Sequence, residues 1–337
     1  MITLLAAYAY VTRVSELAGG NMETYLDLVP QAIIPTPPAK PFAQVLCYVV
    51  YGDNEMYYEG VKVSILSFFS QIAVQQRPLV AVLSSKPNFF ADWQHQADLD
   101  FVHLELSNSL MAQWVKDDYH YRTKTLGLAY IIRSLLGSHW VSASSKFLFF
   151  DSDTYFERSP LPLYEAITPK QVVMYKQEPK IFAHKKYRNY VNGLANQTIY
   201  YEHQGQQKTY QLPPNAQMYS SLIMGVMPHC LEQLIEISEL MYPMRSLTNA
   251  RTVEQFAFVE IMRQHYHVST GEAYVKHYSR RRQKQFVQSQ LAIFWQQVAH
   301  QPVNQQIQAM KQLRFQRPWY LTLKQAIGRI FHPETIR

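Results

Sequence analysis

The sequence has 337 residues, a length typical of one large domain with appendages. It is 47% hydrophobic and 17% charged, so it can bury a large core, and its two cysteines exclude a disulfide framework or a Cys-rich zinc site. Residues 271–337 contain eleven Lys or Arg and two Glu, which is more net positive charge than the +7 of the whole chain. Because the basic charge is confined to one end, we expect no nucleic-acid partner.

Both ends of the chain are predicted to be appendages of a central domain at 44–290. Residues 1–18 have the spacing of a short amphipathic helix, and the prolines after them predict a stiff linker to residue 43. The apolar start is about half the length that a bilayer requires, and it lacks the charged start of a signal peptide. We therefore expect a cytoplasmic protein. Residues 291–337 are predicted to form basic amphipathic helices.

Residues 314–331 carry a helical stripe that contains Trp319, Leu323 and Ile327, with basic residues elsewhere around the helix. A Trp-bearing stripe beside Lys and Arg suits a helix that lies on anionic lipid. This pattern predicts a peripheral contact with the inner face of the membrane. An amphipathic helix that covers the core of the protein has the same pattern, and the sequence leaves both interpretations open.

Short apolar runs alternate with helical spacing in the first half of the central domain. Strands are predicted at 45–50, 79–83, 101–106 and 147–150, and helices at 58–71 and 121–136. Such alternation predicts an α/β fold with a mostly parallel, Rossmann-like sheet flanked by helices. Ligands of these sheets bind beyond the carboxyl ends of the strands, so we expect the chemistry near Tyr51 to Asn54 and near Asp151.

Residues 176–215 interrupt the alternation. This segment is polar, is rich in Tyr and Lys, and is predicted to contain a hairpin at 198–212 that turns at Gln204-Gly205. Insertions over a strand-end pocket commonly contact the substrate. We therefore expect this insertion on the acceptor side of the site.

The most specific motif is Asp151-Ser152-Asp153, directly after an apolar run. Side chains alternate along an extended strand, so the two carboxylates are predicted to point the same way. Two carboxylates at a strand end suit Mn²⁺ or Mg²⁺, and such an ion can bridge the two phosphates of a nucleotide sugar. The motif therefore predicts a metal-dependent nucleotide-sugar site.

Two other interpretations of the acidic motif stay open. Asp-Ser-Asp is also good turn chemistry at the end of any strand. Haloacid-dehalogenase-type phosphatases also place Asp-x-Asp after an apolar strand, with the first Asp as nucleophile. They require Thr or Val where this chain has Tyr155, and they place the motif on the first core strand, whereas three predicted strands precede it here.

Further short motifs accompany the acidic pair in a recurring order. They are Asn54, Tyr57 and Gly60; Thr123-Lys124; Tyr219-Ser220-Ser221-Leu222 with Met224 and Pro228; Glu254-Gln255; and His277 with Lys284 and Phe286. In this order the chain resembles the retaining GT-A glycosyltransferases of the glycogenin-like family 8, from residue 45 to about residue 286. The individual motifs are weak, and their order carries the resemblance.

The resemblance implies a GT-A fold and transfer of a hexose from a nucleotide sugar, in this family a UDP-sugar, with retention of configuration. It implies that His277 completes the metal site, with Mn²⁺ or Mg²⁺ as the cofactor, and that Glu254 and Gln255 lie near the reacting carbon as the catalytic pair. The predicted nucleotide-sugar-binding residues are Tyr51, Asn54, Tyr57, Lys124, Ser152, Ser220, Ser221, Arg282 and Lys284. The acceptor stays open among a glycan, a lipid-linked sugar and a protein.

Several positions depart from the family pattern. Ser220 replaces Asn, Leu222 replaces Gly, and Glu254 replaces Asp. The interval from His277 to Lys284 is one residue longer, with Arg280–Arg282 inside it, so an arginine is an alternative ligand for the diphosphate. These departures leave the identity of the donor sugar open.

Each of these residues also has a structural interpretation. Tyr57 could pack, Lys124 could lie on a helix surface, His277 could be hydrogen-bonded without a metal, and Glu254 could be a first-turn residue behind an N-cap at Thr252. The sequence therefore supports a second class of protein, a non-catalytic nucleotide-sugar-binding protein of the same fold. A membrane-surface scaffold built on the C-terminal segment is a third.

Overall fold

A computed structural model describes residues 29–32, 34, 36–115, 118–278 and 281–315, except for the side chain of Arg281. The predicted N-terminal helix, Arg280 and nearly all of 314–331 lie outside these residues. The expected cytoplasmic location and the membrane contact through 314–331 therefore stay predictions. Within the described part of the chain, no helix combines the length and apolar character that crossing a bilayer requires.

The fold is built on a central sheet of seven strands. In chain order they are β1 (Phe42–Val50), β2 (Leu79–Ser84), β3 (Phe101–Glu105), β4 (Val141–Phe150), β6 (Gln171–Lys180), β9 (Gln217–Val226) and β10 (His267–Thr270). Their order in the sheet is β10-β6-β9-β4-β1-β2-β3. β9 runs antiparallel to both of its neighbours, and the other pairings are parallel. The predicted mostly parallel α/β sheet is confirmed.

Helices connect and cover these strands. They are α1 (Glu55–Phe69), α2 (Ala91–Gln94), α3 (Asn108–Trp114), α4 (Arg122–Gly137), α5 (Leu161–Ala166), α6 (Arg188–Leu194), α7 (Leu231–Thr248), α8 (Val253–His265), α9 (Arg281–Val298) and α10 (Val303–Met310). Single turns of 3₁₀ helix occur at Val74–Gln76, Pro87–Phe90, Ile181–Ala183, Lys185–Tyr187 and Pro228–Cys230. The strands and helices predicted before residue 150 all occur, with shifted ends.

The sheet is buried on both faces, which explains why its strands are continuous apolar runs. On β1, Val45 and Cys47 belong to the core formed with α4, α7 and α8, whereas Leu46 and Tyr48 belong to the core formed with α1, α5, α9 and α10. Side chains on a strand alternate between the two faces, so each apolar run contributes to both cores.

The C-terminal helices complete the second core. The expected boundary at residue 290 lies inside α9, and the buried side chains of Leu291, Phe294, Ile307 and Met310 pack in the same cluster as α1. The described part of 291–337 is therefore packed onto the sheet domain.

Two small sheets flank the central one. β5 (Thr154–Tyr155) pairs antiparallel with β11 (Lys276–His277), and β7 (Thr198–His203) pairs with β8 (Gln206–Gln211) in a hairpin. The predicted hairpin and its turn at Gln204-Gly205 are thus confirmed, and Gly205 has the positive φ of +70° that such a turn requires.

The hairpin itself rests on helices. Tyr201 and Lys208 bind the Glu236 carboxylate of α7 at 2.8 Å each, and Tyr210 donates a 2.9 Å hydrogen bond to Glu260 of α8. The part of the 176–215 insertion that lies at the strand ends is the segment before the hairpin, where β6 ends.

Candidate active site

The acidic motif lies at the carboxyl end of β4, where the sheet holds its backbone firmly. The Asp151 N–H donates to the Leu222 carbonyl of β9 at 3.1 Å. The Thr154 hydroxyl donates to the Asp151 carbonyl at 2.7 Å and is itself hydrogen-bonded to the buried Ser64 hydroxyl of α1 at 2.7 Å. The turn that presents both carboxylates is therefore tied to β9 on one side and to α1 on the other.

Gly60 allows α1 to approach this turn closely. A Cβ atom at this position would lie 2.5 Å from the Ser152 carbonyl oxygen, far inside contact distance. The glycine of the predicted Asn-x-x-Tyr-x-x-Gly motif thus has a steric role at the acidic motif, and Ser152 contributes its backbone to this packing.

Asp153 is bound by two residues from the C-terminal part of the chain. The β5–β11 ladder places His277 opposite Thr154, and the His277 Nε2 atom lies 3.0 Å from one Asp153 oxygen. The Lys284 Nζ atom on α9 lies 2.8 Å from the other oxygen. Burial acts to raise the pKa of Asp153, but the hydrogen bonds from His277 and Lys284 outweigh it, so the pKa falls well below its usual range.

Asp151 is bound by Lys124, which comes from the first turn of α4. The Lys124 Nζ atom lies 2.8 Å from Asp151 Oδ1 and 3.1 Å from the Ser221 hydroxyl of β9. Burial acts to lower the pKa of Lys124, but the carboxylates of Asp151 and Glu254 outweigh it and raise this pKa. Burial also raises the pKa of Asp151, so Lys124 and Asp151 depend on each other for their charge.

Glu254 forms the deepest part of the site, because it is 2% exposed. The Ser221 hydroxyl donates to Glu254 Oε2 at 2.9 Å, and the other oxygen lies 3.8 Å from Lys124 Nζ, with no hydrogen-bond partner among the described residues. Burial raises the pKa of Glu254 to about 6. A carboxylate that is buried, ionised near neutral pH and incompletely hydrogen-bonded is available to a ligand.

The structure thus brings together seven of the predicted site residues in two adjacent groups. One group is Asp153, His277 and Lys284; the other is Asp151, Lys124, Ser221 and Glu254. Gln255 follows Glu254 in the first turn of α8 and is half-buried, whereas Arg282 is exposed at the start of α9.

The remaining predicted residues line the rim or hold the backbone. The Tyr51 hydroxyl donates to the His120 carbonyl at 3.0 Å. Asn54 caps α1 by accepting a hydrogen bond from the Met56 N–H at 3.1 Å, so its side chain is engaged in the helix. Tyr57 is 46% exposed in the first turn of α1, and Ser220 is half-buried beside Ser221 on β9. Tyr57 is therefore free to contact a ligand at the rim, whereas Tyr51 is half-buried.

Sequence reasoning missed the loop before α4. The Tyr119 hydroxyl accepts a 2.8 Å hydrogen bond from the Glu254 N–H and donates to the Arg251 carbonyl at 3.2 Å. Next to it, the His120 ring stacks on Tyr51, and Tyr121 is 47% exposed. Tyr119 and Glu254 are 135 residues apart, and no local pattern signals their contact.

The donor set has the chemistry of a site for a hard divalent cation, since two carboxylates and an imidazole suit Mn²⁺ or Mg²⁺. Both carboxylates are partly exposed, at 35% for Asp151 and 22% for Asp153. Their present partners are the ammonium groups of Lys124 and Lys284 and the His277 ring. In the part of the chain that the structure describes, no three His, Cys, Asp or Glu side chains form a ready-made metal cluster. A divalent metal ion would therefore have to displace the ammonium group of Lys124 or Lys284 from its carboxylate.

The sequence matches no protein-family model, and it matches no curated protein. The resemblance to glycogenin-like enzymes therefore stays a prediction.

Proposed function

We propose that this protein is a metal-dependent glycosyltransferase of the GT-A fold, which moves a hexose from a nucleotide sugar, a UDP-sugar, to an acceptor. One observation carries the proposal: Asp151 and Asp153 lie together at the carboxyl end of β4, and a histidine, two lysines and a buried glutamate converge on them from distant parts of the chain. Strand ends of such sheets are the usual place of nucleotide sites.

Asp151, Asp153 and His277 would hold Mn²⁺ or Mg²⁺. When bound, this ion neutralises charge on the diphosphate of the donor. Lys284 lies 2.8 Å from Asp153 and would turn to the diphosphate when the ion binds this carboxylate. It would then stabilise the negative charge that develops on the leaving group, with Arg282 close by on the same helix turn.

Glu254 would face the donor sugar on the other side. Positive charge develops at the anomeric carbon as the glycosidic bond breaks, and a buried carboxylate stabilises this charge strongly because water is excluded. The Ser221 hydroxyl binds one oxygen of this carboxylate, and Lys124 Nζ lies 3.8 Å from the other. Gln255 and Ser220 would contact the sugar hydroxyls beside it. Retention of configuration rests on the family resemblance alone.

The exposed aromatic rim would bind the base. Tyr57 has a ring face available for stacking, and the half-buried Tyr51, already stacked on His120, would border the base. The backbone of Asn54 would lie near the nucleotide, because its side chain caps α1. Stacking of a base on an aromatic ring is favourable for every base, so specificity for uracil would come from polar groups near the rim.

The decisive experiment compares Asp153→Asn with the wild type. We expect Mn²⁺-dependent binding of UDP, measured by isothermal titration calorimetry, to weaken by about 100-fold, because the variant loses a charged metal ligand. Slow hydrolysis of the UDP-sugar should fall in parallel. Asp100→Asn, at an exposed position before β3 at the opposite sheet edge, is the matched control and should behave like the wild type. Equal UDP affinity of the Asp153→Asn and Asp100→Asn variants would contradict the proposed metal-dependent donor site.

One observation favours the second candidate, a non-catalytic nucleotide-sugar-binding protein. Lys124 and Ser221 already engage both Asp151 and Glu254 inside the site, so the donor must compete with these contacts. Tight binding of UDP and Mn²⁺ with no hydrolysis of any UDP-hexose tested would select this candidate.

A further inference from the structure

A strongly basic segment leaves the sheet at the edge that carries the candidate active site. Because β6 is antiparallel to β9 and β9 is antiparallel to β4, β6 ends at the same edge as Asp151. From the end of β6 to the start of α6, residues 176–188 contain five Lys or Arg residues and one Glu residue.

Two contacts place the segment beside the buried half of the site. At its start, Lys176 of β6 is the register partner of Ser220 of β9, next to Ser221. Beyond its end, the Tyr190 hydroxyl of α6 is hydrogen-bonded at 2.8 Å to Thr252, just before Glu254. The segment therefore spans the distance between two points that adjoin Ser221 and Glu254.

The segment has a buried side and a charged outer side. Ile181, Tyr187 and Tyr190 are at most 2% exposed and fix its backbone against the core. On the outer side, Lys180, Lys185 and Arg188 are exposed. We call these three residues the basic strand-end surface.

The acidic residues nearby are already neutralised by other cations. Glu178 accepts from Lys186 at 2.6 Å and from the Tyr187 hydroxyl, and Glu272 lies 3.2 Å from Lys176. Among the described residues, Lys180, Lys185 and Arg188 form no ion pair with a carboxylate. Their charge is therefore available to an external anion.

We propose that the acceptor is an anionic glycan whose phosphate groups bind the basic strand-end surface. This inference rests on the proposed function and adds the class of the acceptor to it. Exposed cations on a segment that begins beside Ser220 and leads to the Tyr190–Thr252 contact would orient a phosphorylated sugar, and Arg188 offers the paired N–H groups that phosphate prefers. Within 176–188 the only exposed large apolar side chain is Phe182, at 48%, whereas helices that dock on membranes present a whole apolar face.

The test measures binding of a glucose hexasaccharide that carries several phosphate groups, with the unmodified hexasaccharide as the neutral probe. The variant is Lys180→Glu with Lys185→Glu. The matched control is Lys40→Glu with Lys170→Glu, which changes the net charge equally at the opposite sheet edge, before β1 and β6. We expect the dissociation constant for the phosphorylated probe to rise by about tenfold in the variant and by less than about twofold in the control.

The UDP and Mn²⁺ titration is run on the same proteins. Unchanged UDP affinity with weakened glycan binding supports the proposal, and absence of UDP binding would instead remove the glycosyltransferase assignment. Equal weakening in both double variants, or no binding of the phosphorylated probe to the wild type, overturns the anionic-glycan inference. A third result also overturns it: the wild type binds vesicles of anionic phospholipid more tightly than the phosphorylated probe, and the Lys180 and Lys185 changes abolish this binding. The surface would then bind a membrane.

Discussion

At the scale of single residues, Lys124 connects the two halves of the site. Its ammonium group contacts Asp151 and Ser221 and lies within 3.8 Å of Glu254, while its side chain is 11% exposed. Two carboxylates in a buried site repel each other unless a cation lies between them. The same lysine therefore stabilises the fold and sets the charge of the carboxylate that is proposed to face the sugar.

We expect Lys124→Met to lower the free energy of unfolding by about 3 kcal/mol, because it leaves the buried Glu254 and the partly exposed Asp151 without their cation. Urea denaturation measures this loss. Lys146→Met is the control, since Lys146 binds a carbonyl of Tyr164 and no carboxylate, and it should cost about 1 kcal/mol. Adding Glu254→Gln to Lys124→Met should recover at least about 1 kcal/mol, and a double variant no more stable than Lys124→Met would contradict this account.

Tyr119 and Tyr164 are both buried but differ in the hydrogen bonding of their hydroxyl groups, and this difference tests the role of Tyr119. The Tyr119 hydroxyl bonds Glu254 and Arg251, whereas the buried Tyr164 hydroxyl has no hydrogen-bond partner in the described parts of the chain. Tyr119→Phe should therefore cost about 1–2 kcal/mol and leave the Glu254 N–H unpaired, and Tyr164→Phe should be nearly neutral. Thermal and urea unfolding of both variants make the comparison. Equal losses in the two would show that Tyr119 acts by packing alone.

At the scale of elements, the close approach of α1 to the turn after β4 depends on the absence of a Cβ atom at Gly60. Gly60→Ala would place a Cβ atom 2.5 Å from a backbone oxygen of Ser152, so α1 or the turn must move. We expect a loss of about 1–3 kcal/mol in stability, together with weaker binding of UDP and Mn²⁺. Gly137→Ala in α4 is the control, because there the new Cβ meets the flexible end of Gln31. It should leave UDP affinity unchanged; a matching loss there would point to a general helix effect.

Burial of the Glu260 carboxyl group on α8 makes stability depend on pH. Glu260 is 1% exposed, and burial raises its pKa from 4.5 to about 7, against the effect of Arg263 and the Tyr210 hydroxyl. Since the folded pKa exceeds the unfolded value, its contribution is fully present below pH 4.5 and is lost as the pH rises through 7.

We expect this carboxyl group alone to lower the free energy of unfolding by on the order of 3 kcal/mol between pH 4.5 and pH 8. Glu260→Gln should remove this part of the pH dependence, measured by urea denaturation across the range. Glu105→Gln, at an exposed position in β3, should preserve the wild-type slope. A Glu260→Gln variant with an unchanged slope would assign the dependence to other groups.

At the scale of the whole molecule, the described part of the chain packs on both faces of one sheet. The C-terminal helices are joined to the first half of the chain by Arg77, which donates to Asn304 at 2.8 Å, and by Asn304, which donates to Asp98 at 2.6 Å. These bonds fix α10, while α9 packs through Leu291 and Phe294 in the second core and carries Lys284 to Asp153. Lys284 thus brings one positive charge from the basic end of the chain into contact with Asp153.

The local sequence predicted the main strands and helices before residue 150, the hairpin and the place of the acidic pair. Apolar runs such as 147–150 define strands because both faces of a parallel sheet are buried, and a carboxylate directly after such a run must lie at the strand end. The turn at Gln204-Gly205 was predicted because positive φ suits glycine. The family resemblance added Gly60, Lys124 and Glu254, although it did not indicate the contacts that they make.

Amino-acid pattern by itself determined the α/β class, the carboxyl ends of β1 and β4 and the hairpin, because these depend on periodicity and turn chemistry within a few residues. Tertiary structure alone decided that His277 meets Asp153 through the β5–β11 ladder, that Lys124 lies between Asp151 and Glu254, and that Tyr119 holds the Glu254 backbone. Such contacts join residues that are far apart in the chain. They form when two faces of a sheet are packed at once, a condition that no local pattern encodes.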